Sequence, residues 1–145
     1  HRRQRQMCIR DSLLHMHLDP AKIGLAVPYK QQLLKVRKHL AEKIASKAVL
    51  DKLEIKSVDG YQGREKDLLL TLTTRSNRNG NIGFVADHRR ICVALTRATR
   101  GLIVMGNKDT LMHDPIWKKW LHHLQNIDEK LIIECSDLQG KLLAL

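Results

Sequence analysis

Short apolar runs alternate with amphipathic stretches along most of this chain, and that alternation constrains the fold more than any other feature. Ile23-Gly24-Leu25-Ala26-Val27, Leu53 to Val58, Leu68 to Thr74 and Leu102-Ile103-Val104-Met105 have the length and composition of strands. Tyr29 to about Lys47 reads as a helix. Leu33, Val36, Leu40 and Ile44 form its apolar stripe, Leu34 and Ala41 widen it, and lysines cover the rest. Asp114-Pro115 reads as an N-cap followed by proline at the first helical position. Ile116, Trp117, Trp120, Leu121 and Leu124 then line one face of a last helix. Leu131-Ile132-Ile133 reads as an edge strand. Strands and helices in this order predict an α/β fold, a mostly parallel sheet flanked by helices. Ligands of such sheets gather outside the carboxyl ends of the strands. The loops after Val27, Val58 and Thr74 are therefore where a site is expected.

The stretch from Asp87 to Met105 feeds a helix into a strand. Asp87 suits an N-cap, because its carboxylate can accept from the free N–H groups of a first turn. Ile91, Ala94, Leu95 and Ala98 recur at the spacing of one helix face, and Gly101 reads as a left-handed C-cap. Arg90 and Arg97 stand about two turns apart and point the same way. Two guanidiniums on one helix edge suit phosphate, since each offers a planar fork of donors. Spacing alone favours the plainer reading, a basic face turned to water.

At 145 residues the chain is the size of one domain with a real core, and 43% hydrophobic content makes it globular. No apolar run approaches the roughly 20 residues that cross a bilayer, so no membrane partner is expected. His1 is not an initiator Met, and the sequence reads as a fragment. Cys8, Cys92 and Cys135 are widely spaced with no Cys-x-x-Cys pair, which argues against a disulfide framework or a zinc site and suits a reducing compartment. The net charge of +11 attracts polyanions, nucleic acid above all. Aromatics make up only 3%, so backbone electrostatics rather than base stacking would dominate.

No Gly-x-x-x-x-Gly-Lys-Ser/Thr loop, no Gly-x-Gly-x-x-Gly and no Gly-x-Ser-x-Gly elbow is present. The histidines show no ligand spacing. The loop from Asp59 to Asp67 holds two glycines and then charges of both signs. It reads equally as a salt-bridged turn or as a place where Gln62, Arg64 and Glu65 meet a phosphate or ribose.

Three stretches resemble one family. Val58-Asp59-Gly60-Tyr61-Gln62-Gly63-Arg64-Glu65-Lys66-Asp67 looks like motif V of the superfamily 1 helicases of the Up-frameshift type. Arg89-Arg90-Ile91-Cys92-Val93-Ala94-Leu95-Thr96-Arg97-Ala98 looks like their motif VI. Ile23 to Gln32 looks like motif IV, and Ile82-Gly83-Phe84 and Gly106-Asn107 fit the flanks of motif VI. The resemblance covers about residues 20 to 125. It implies a second RecA-like domain of the P-loop NTPase type that lacks its own P-loop. The departures are Cys92 in place of the usual Asn, Thr99 in place of Arg or Lys, and Val27 in place of Thr.

The resemblance also implies roles. Arg97 corresponds to an arginine finger reaching the γ-phosphate of ATP. Glu65, with Gln62, Gly63 and Arg64, corresponds to the nucleotide-side loop of motif V. Arg90 is expected in the nucleotide-binding set, bracing motif VI against motif V. Pro28, Tyr29, Gln32, Ser57 and Thr73 are expected along the nucleic-acid backbone. ATP and Mg²⁺ would be held mainly by an N-terminal RecA-like domain of the same full-length protein, and the other partner would be single-stranded RNA or DNA. An intracellular setting, cytoplasmic or nuclear, follows from the same likeness. The expected organisation is an ill-defined N-terminal extension or helix over 1–19, the RecA-like domain over 20–126, and an edge strand or tail over 127–145. The competing readings are a non-catalytic basic nucleic-acid-binding module and a degenerate helicase scaffold.

Overall fold

A computed structural model of the chain describes residues 19–73 and 83–133. All of the extension or helix expected over 1–19 except Asp19 lies outside them, as does Ile82 at the flank of motif VI. Four strands, β1 (Ile23–Val27), β2 (Glu54–Ser57), β3 (Lys66–Leu72) and β4 (Ala98–Met105), form one sheet in the order β2-β1-β3-β4. Every pairing is parallel: Leu25 lies opposite Ile55 on one side and Leu70 on the other, and Leu70 lies opposite Ile103. All five residues of β1 are buried, as a central strand covered on both faces requires.

Side chains alternate across the sheet, and each face has its own helix. Ile23, Leu25 and Val27 join Leu68, Leu70 and Ile55 under Val36 and Leu40 of helix α1 (Lys30–Lys43). On the opposite face Ala26, Val58, Tyr61 and Leu69 pack with Ala94 of a second long helix. A short helix, α2 (Lys47–Lys52), follows α1, and that second long helix is α3 (His88–Thr96). A one-turn helix, α4 (Lys108–Leu111), precedes α5 (Pro115–Ile127). Trp117 and Leu121 of α5 meet Ile91 of α3 and Leu111 in a further apolar cluster.

The fold is the expected α/β architecture, with four local differences. Helix α1 stops at Lys43 rather than Lys47, because Ser46 caps a new helix: its hydroxyl accepts from the Val49 N–H at 3.4 Å. The short α4 was not expected. Asn107 caps it, accepting from Thr110 N–H at 2.8 Å. Leu131-Ile132-Ile133 does not form a strand. Glu129–Leu131 is a 3-10 turn, and among the described residues the sheet ends at β2 and β4.

The fourth difference bears on function. The motif VI helix ends at Thr96, and β4 already begins at Ala98, so Gly101 is not a C-cap. Ala98 continues the helical spacing in sequence, but pairing wins: Ala98 lies opposite Lys66, and Lys66 N–H donates to the Arg97 carbonyl at 3.0 Å. The register slips between Lys66 and Leu68, so β4 carries an extra residue just after Arg97. Gly101 lies opposite Leu68, where an added Cβ would sit 3.1 Å from the Leu68 side chain. The two expected N-caps hold. Asp87 accepts from Arg89 N–H at 2.9 Å, and Asp114 accepts from Ile116 and Trp117 N–H at 2.9 and 3.0 Å.

Candidate functional site

The segment between β2 and β3 crosses the full depth of the sheet. It leaves the carboxyl end of β2, where Val58 N–H donates to Val27 carbonyl, and turns through Asp59–Tyr61. Tyr61 then anchors it. The ring is fully buried, and its hydroxyl donates to the carbonyl of Glu54, the first residue of β2. Gly24 opposite has no side chain, and a Cβ there would stand 2.5 Å from the Tyr61 oxygen. Burial pushes the Tyr61 phenol well above its ordinary pKa, with the nearby Glu54 carboxylate adding to the rise.

Beyond Tyr61 the chain reaches the amino edge of the sheet. Gly63 takes φ +72°, a left-handed conformation that a side chain would strain. Arg64 then pairs with Glu54 at 2.7 Å, and Lys66 reaches both Glu54 at 2.8 Å and the Ala21 carbonyl at 2.8 Å. Lys56 approaches the same carboxylate at 3.4 Å. Glu54 is thus a hub that fixes the motif V loop, and the sequence gives no sign of it, since ten residues separate it from Arg64.

Its hydrogen bond from Lys66 holds the Glu54 carboxyl below the usual carboxylate range, against the opposing effect of partial burial; Lys56 adds to the lowering. A carboxyl lowered in the fold stabilises it fully above the unfolded pKa, about 4.3. That contribution is lost as pH falls through the lowered folded value. Glu54 and Lys66 side chains are 20% and 17% exposed, so the pair is poorly screened. Glu54→Gln should therefore cost about 1.5–3 kcal/mol at pH 7, the range for hydrogen bonds to charged groups. It should also flatten the acid limb of stability. Urea unfolding between pH 7 and pH 3 measures both, and an acid limb as steep in the variant as in the parent would refute the assignment.

Arg97 lies at the same edge. It follows the last residue of α3 with φ −89° and ψ −7°, its carbonyl bonded to Lys66 N–H, and its side chain is half-buried. The Arg97 Nε and Nη2 groups donate to the Thr96 hydroxyl at 3.3 and 3.0 Å. Among the described residues no carboxylate pairs with it. Glu65, exposed and also without an ion pair among the described residues, precedes Lys66 and so stands beside the Arg97 backbone. Gln62 is exposed too. Thr99, at the bulge, places its hydroxyl 3.4 Å from the Lys66 carbonyl and 3.4 Å from an Asp67 carboxylate oxygen. Asp67 also lies 3.6 Å from Arg100 and 3.7 Å from Lys22.

The expected position of this loop needs correction. Gly63, Arg64 and Glu65 sit at the amino ends of β1, β2 and β3, not outside their carboxyl ends, because the crossing segment descends the sheet before β3 begins. Arg90 and Arg97 do not act together either. Arg90 is in the first turn of α3, about 10 Å up the helix from Arg97. Its guanidinium pairs with Asp59 at 3.0 Å and with Asp87 at 3.3 Å. This clasp joins motif VI to motif V near the carboxyl edge. As a solvent-exposed pair it contributes about 0–1 kcal/mol.

The expected nucleic-acid residues lie at that carboxyl edge. Pro28 is buried just after β1, Tyr29 is the N-cap residue of α1, and Gln32 lies in its first turn. The Gln32 side-chain oxygen is buried with no hydrogen-bond partner among the described residues. Ser57 closes β2 with its hydroxyl accepting from Gly60 N–H at 3.3 Å. Thr73 is 2% exposed, and its hydroxyl faces the Met105 carbonyl at 3.4 Å. The described residues contain no group of three His, Cys, Asp or Glu side chains able to hold a metal. None of their helices is long and apolar enough to cross a membrane.

A parallel sheet with one helix layer on each face, and with motifs V and VI stitched together at its edge, defines a RecA-like α/β domain. Residues 4–109 match the family model described as an AAA domain. The regulator of nonsense transcripts 1 of Dictyostelium discoideum is 42% identical over 118 residues, 81% of this chain and 9% of that protein. The ATP-dependent helicase NAM7 of Saccharomyces cerevisiae is 37% identical over 111 residues, 73% of this chain and 11% of that protein. Helicase sen1 of Schizosaccharomyces pombe is 38% identical over 110 residues, 74% of this chain and 6% of that protein. The chain belongs to the AAA domain family, as the C-terminal RecA-like domain of superfamily 1 helicases of the Up-frameshift type. It spans about a tenth of the length of the curated relatives it matches.

Proposed function

We propose that this chain is the second RecA-like half of an ATP-dependent RNA or DNA helicase. The observation that carries the reading is the Lys66 N–H bond to the Arg97 carbonyl, which brings the motif V loop and the motif VI arginine to one edge. There Arg97 offers permanently charged donors to the γ-phosphate of ATP. Exposed Gln62, the open backbone at Gly63, and Glu65 face the nucleotide's ribose and phosphates, while Arg64 fixes their loop through Glu54. Arg90 acts through the Asp59 clasp, holding α3 in register with motif V.

The opposite edge takes single-stranded RNA or DNA. Pro28, Tyr29 and Gln32 border the strand there. Ser57 and Thr73, whose hydroxyls face backbone partners, brace the loops from beneath. The basic surplus supplies phosphate affinity.

The residues present suit the phosphate side of ATP but not the whole nucleotide. Mg²⁺ and most of the ATP would be held by an N-terminal RecA-like domain, which supplies the phosphate-cradling lysine and the metal-holding carboxylates. Bound Mg-ATP contributes the phosphoryl group whose transfer to water powers the cycle. Closure of the two domains on ATP and their reopening drive stepping along one strand. The working place is intracellular, cytoplasmic or nuclear.

The 145-residue chain alone should hydrolyse no Mg-ATP above background, whereas joined to a first RecA-like domain of a relative it should show turnover stimulated by single-stranded nucleic acid. A steady-state phosphate-release assay on both proteins decides it. Turnover by the chain alone would overturn its reading as half of a catalytic unit, and nucleic-acid binding with no turnover by the joined protein would favour the basic-module or scaffold readings instead.

A further inference from the structure

We infer that Thr96 is a positioning residue for the Arg97 guanidinium; the inference rests on the nucleotide-facing role proposed for Arg97. The geometry is a two-stage lock. Thr96 donates its hydroxyl proton to the Cys92 carbonyl, one turn back, at 2.7 Å. A threonine inside a helix commonly makes such a bond. Here the bond also leaves the oxygen's acceptor side turned toward Arg97, since the proton is committed to the helix. The oxygen then accepts a forked contact from Arg97, from Nε at 3.3 Å and from Nη2 at 3.0 Å. The hydroxyl is fully used, one proton given and two accepted.

The consequence is a guanidinium held along one edge. Five N–H donors are available, and Thr96 engages one on Nε and one on Nη2. Three remain, and two of them, one on Nη1 and one on Nη2, lie along the end edge that meets an oxyanion in a forked pair. Among the described residues this side chain makes no other hydrogen bond or ion pair. The backbone of the same residue is fixed separately by the Lys66 N–H bond. Arg97 is therefore tied at its carbonyl and at one side of its head, with the other side left open. The negative end of the helix dipole at this last turn also favours a cation.

Orientation of this kind affects turnover more than affinity, because a displacement of about 1 Å in a reacting geometry costs about 10²-fold in rate. Thr96→Val removes the hydroxyl and keeps the shape. Thr96→Ser keeps the hydroxyl. The test uses the chain joined to a first RecA-like domain, with steady-state hydrolysis of Mg-ATP in saturating single-stranded RNA. Thr96→Val should lower kcat about 10- to 100-fold with KM for ATP within about threefold, and Thr96→Ser should restore kcat to within about threefold. In the 145-residue chain, solvent exchange of the Arg97 Nε–H, read by ¹⁵N NMR, should quicken about tenfold in Thr96→Val and not in Thr96→Ser.

Arg97→Ala is run beside them to separate the two readings. If Arg97→Ala abolishes turnover while Thr96→Val leaves kcat at the parent value, the positioning role is overturned and the finger stands. If Arg97→Ala leaves turnover intact, or the parent protein has none, the finger reading falls and this inference with it. Equal losses in Thr96→Val and Thr96→Ser, or an unchanged Nε–H exchange rate, also overturn it.

Discussion

Arg97→Ala should lower ATP turnover of the joined two-domain protein by about 10³- to 10⁵-fold, the range for removing an arginine that stabilises a transferring phosphoryl group. Stability of the 145-residue chain should change by about 0.5 kcal/mol or less, as for surface substitutions that break no buried contact. The asymmetry follows from the side chain's surroundings. Its only side-chain hydrogen bonds among the described residues go to the neighbouring Thr96, while the structural tie at this position is the backbone carbonyl, which alanine keeps. Affinity for single-stranded nucleic acid should fall less than threefold, about what one phosphate contact among several accounts for, because Arg97 stands at the opposite edge from Pro28, Tyr29 and Ser57. Arg97→Lys should recover little, since lysine keeps the charge and loses the fork. Phosphate release, urea unfolding and a binding titration on the same preparations test all three statements. Turnover within tenfold of the parent, or binding lost in proportion to turnover, would remove Arg97 from the nucleotide site.

The second large effect is structural and reaches the site through its support. Tyr61→Ala should cost about 3–5 kcal/mol, as for other buried aromatic truncations. A domain of this size is stable by only about 5–15 kcal/mol, so the loss consumes much of the margin. Tyr61 is fully buried among Ala26, Val58, Leu69 and Ala94, between the sheet and α3. Its hydroxyl also satisfies the Glu54 carbonyl at the start of β2. Tyr61→Phe isolates that hydroxyl and should cost about 1–2 kcal/mol, since it leaves a partly buried carbonyl short of a donor. The ring pins the crossing segment midway between the two edges, so alanine should also loosen Gly63, Arg64 and Glu65 and reduce turnover even where the domain stays folded. Urea unfolding of the three proteins gives the stabilities; a loss below about 1 kcal/mol in Tyr61→Ala would mean the segment is held by other contacts.

Local chemistry made several elements legible. Asp87 and Asp114 cap helices because a short carboxylate accepts from the first free N–H groups wherever the chain turns into a helix. The apolar stripe of Val36 and Leu40 and the continuous run of β1 each bury the expected face. Where two local tendencies competed, sequence reading failed. Ser46 started a new helix inside an amphipathic pattern that ran on to Lys47. Ala98 kept helical spacing, yet its backbone took a strand partner in Lys66. A pattern of side chains cannot reveal which backbone lies alongside, and a hydrogen-bonded ladder outweighs one alanine's place on a helix face.

By itself the sequence determined the parallel α/β class, the order of the elements, and the three motifs whose likeness points to a helicase domain. Each of these depends on residue type at short spacing. The tertiary structure alone decided which motif residues share an edge. It set Gly63, Glu65 and Arg97 at the amino ends of the strands and Pro28, Tyr29, Gln32, Ser57 and Thr73 at the carboxyl ends. It also parted Arg90 from Arg97, gave Arg90 to Asp59, and made Glu54 the anchor of the motif V loop. The physical reason is the path of one segment. A loop between parallel strands must travel the depth of the sheet, so its first and last residues finish at opposite edges, a separation that eight letters of sequence do not record.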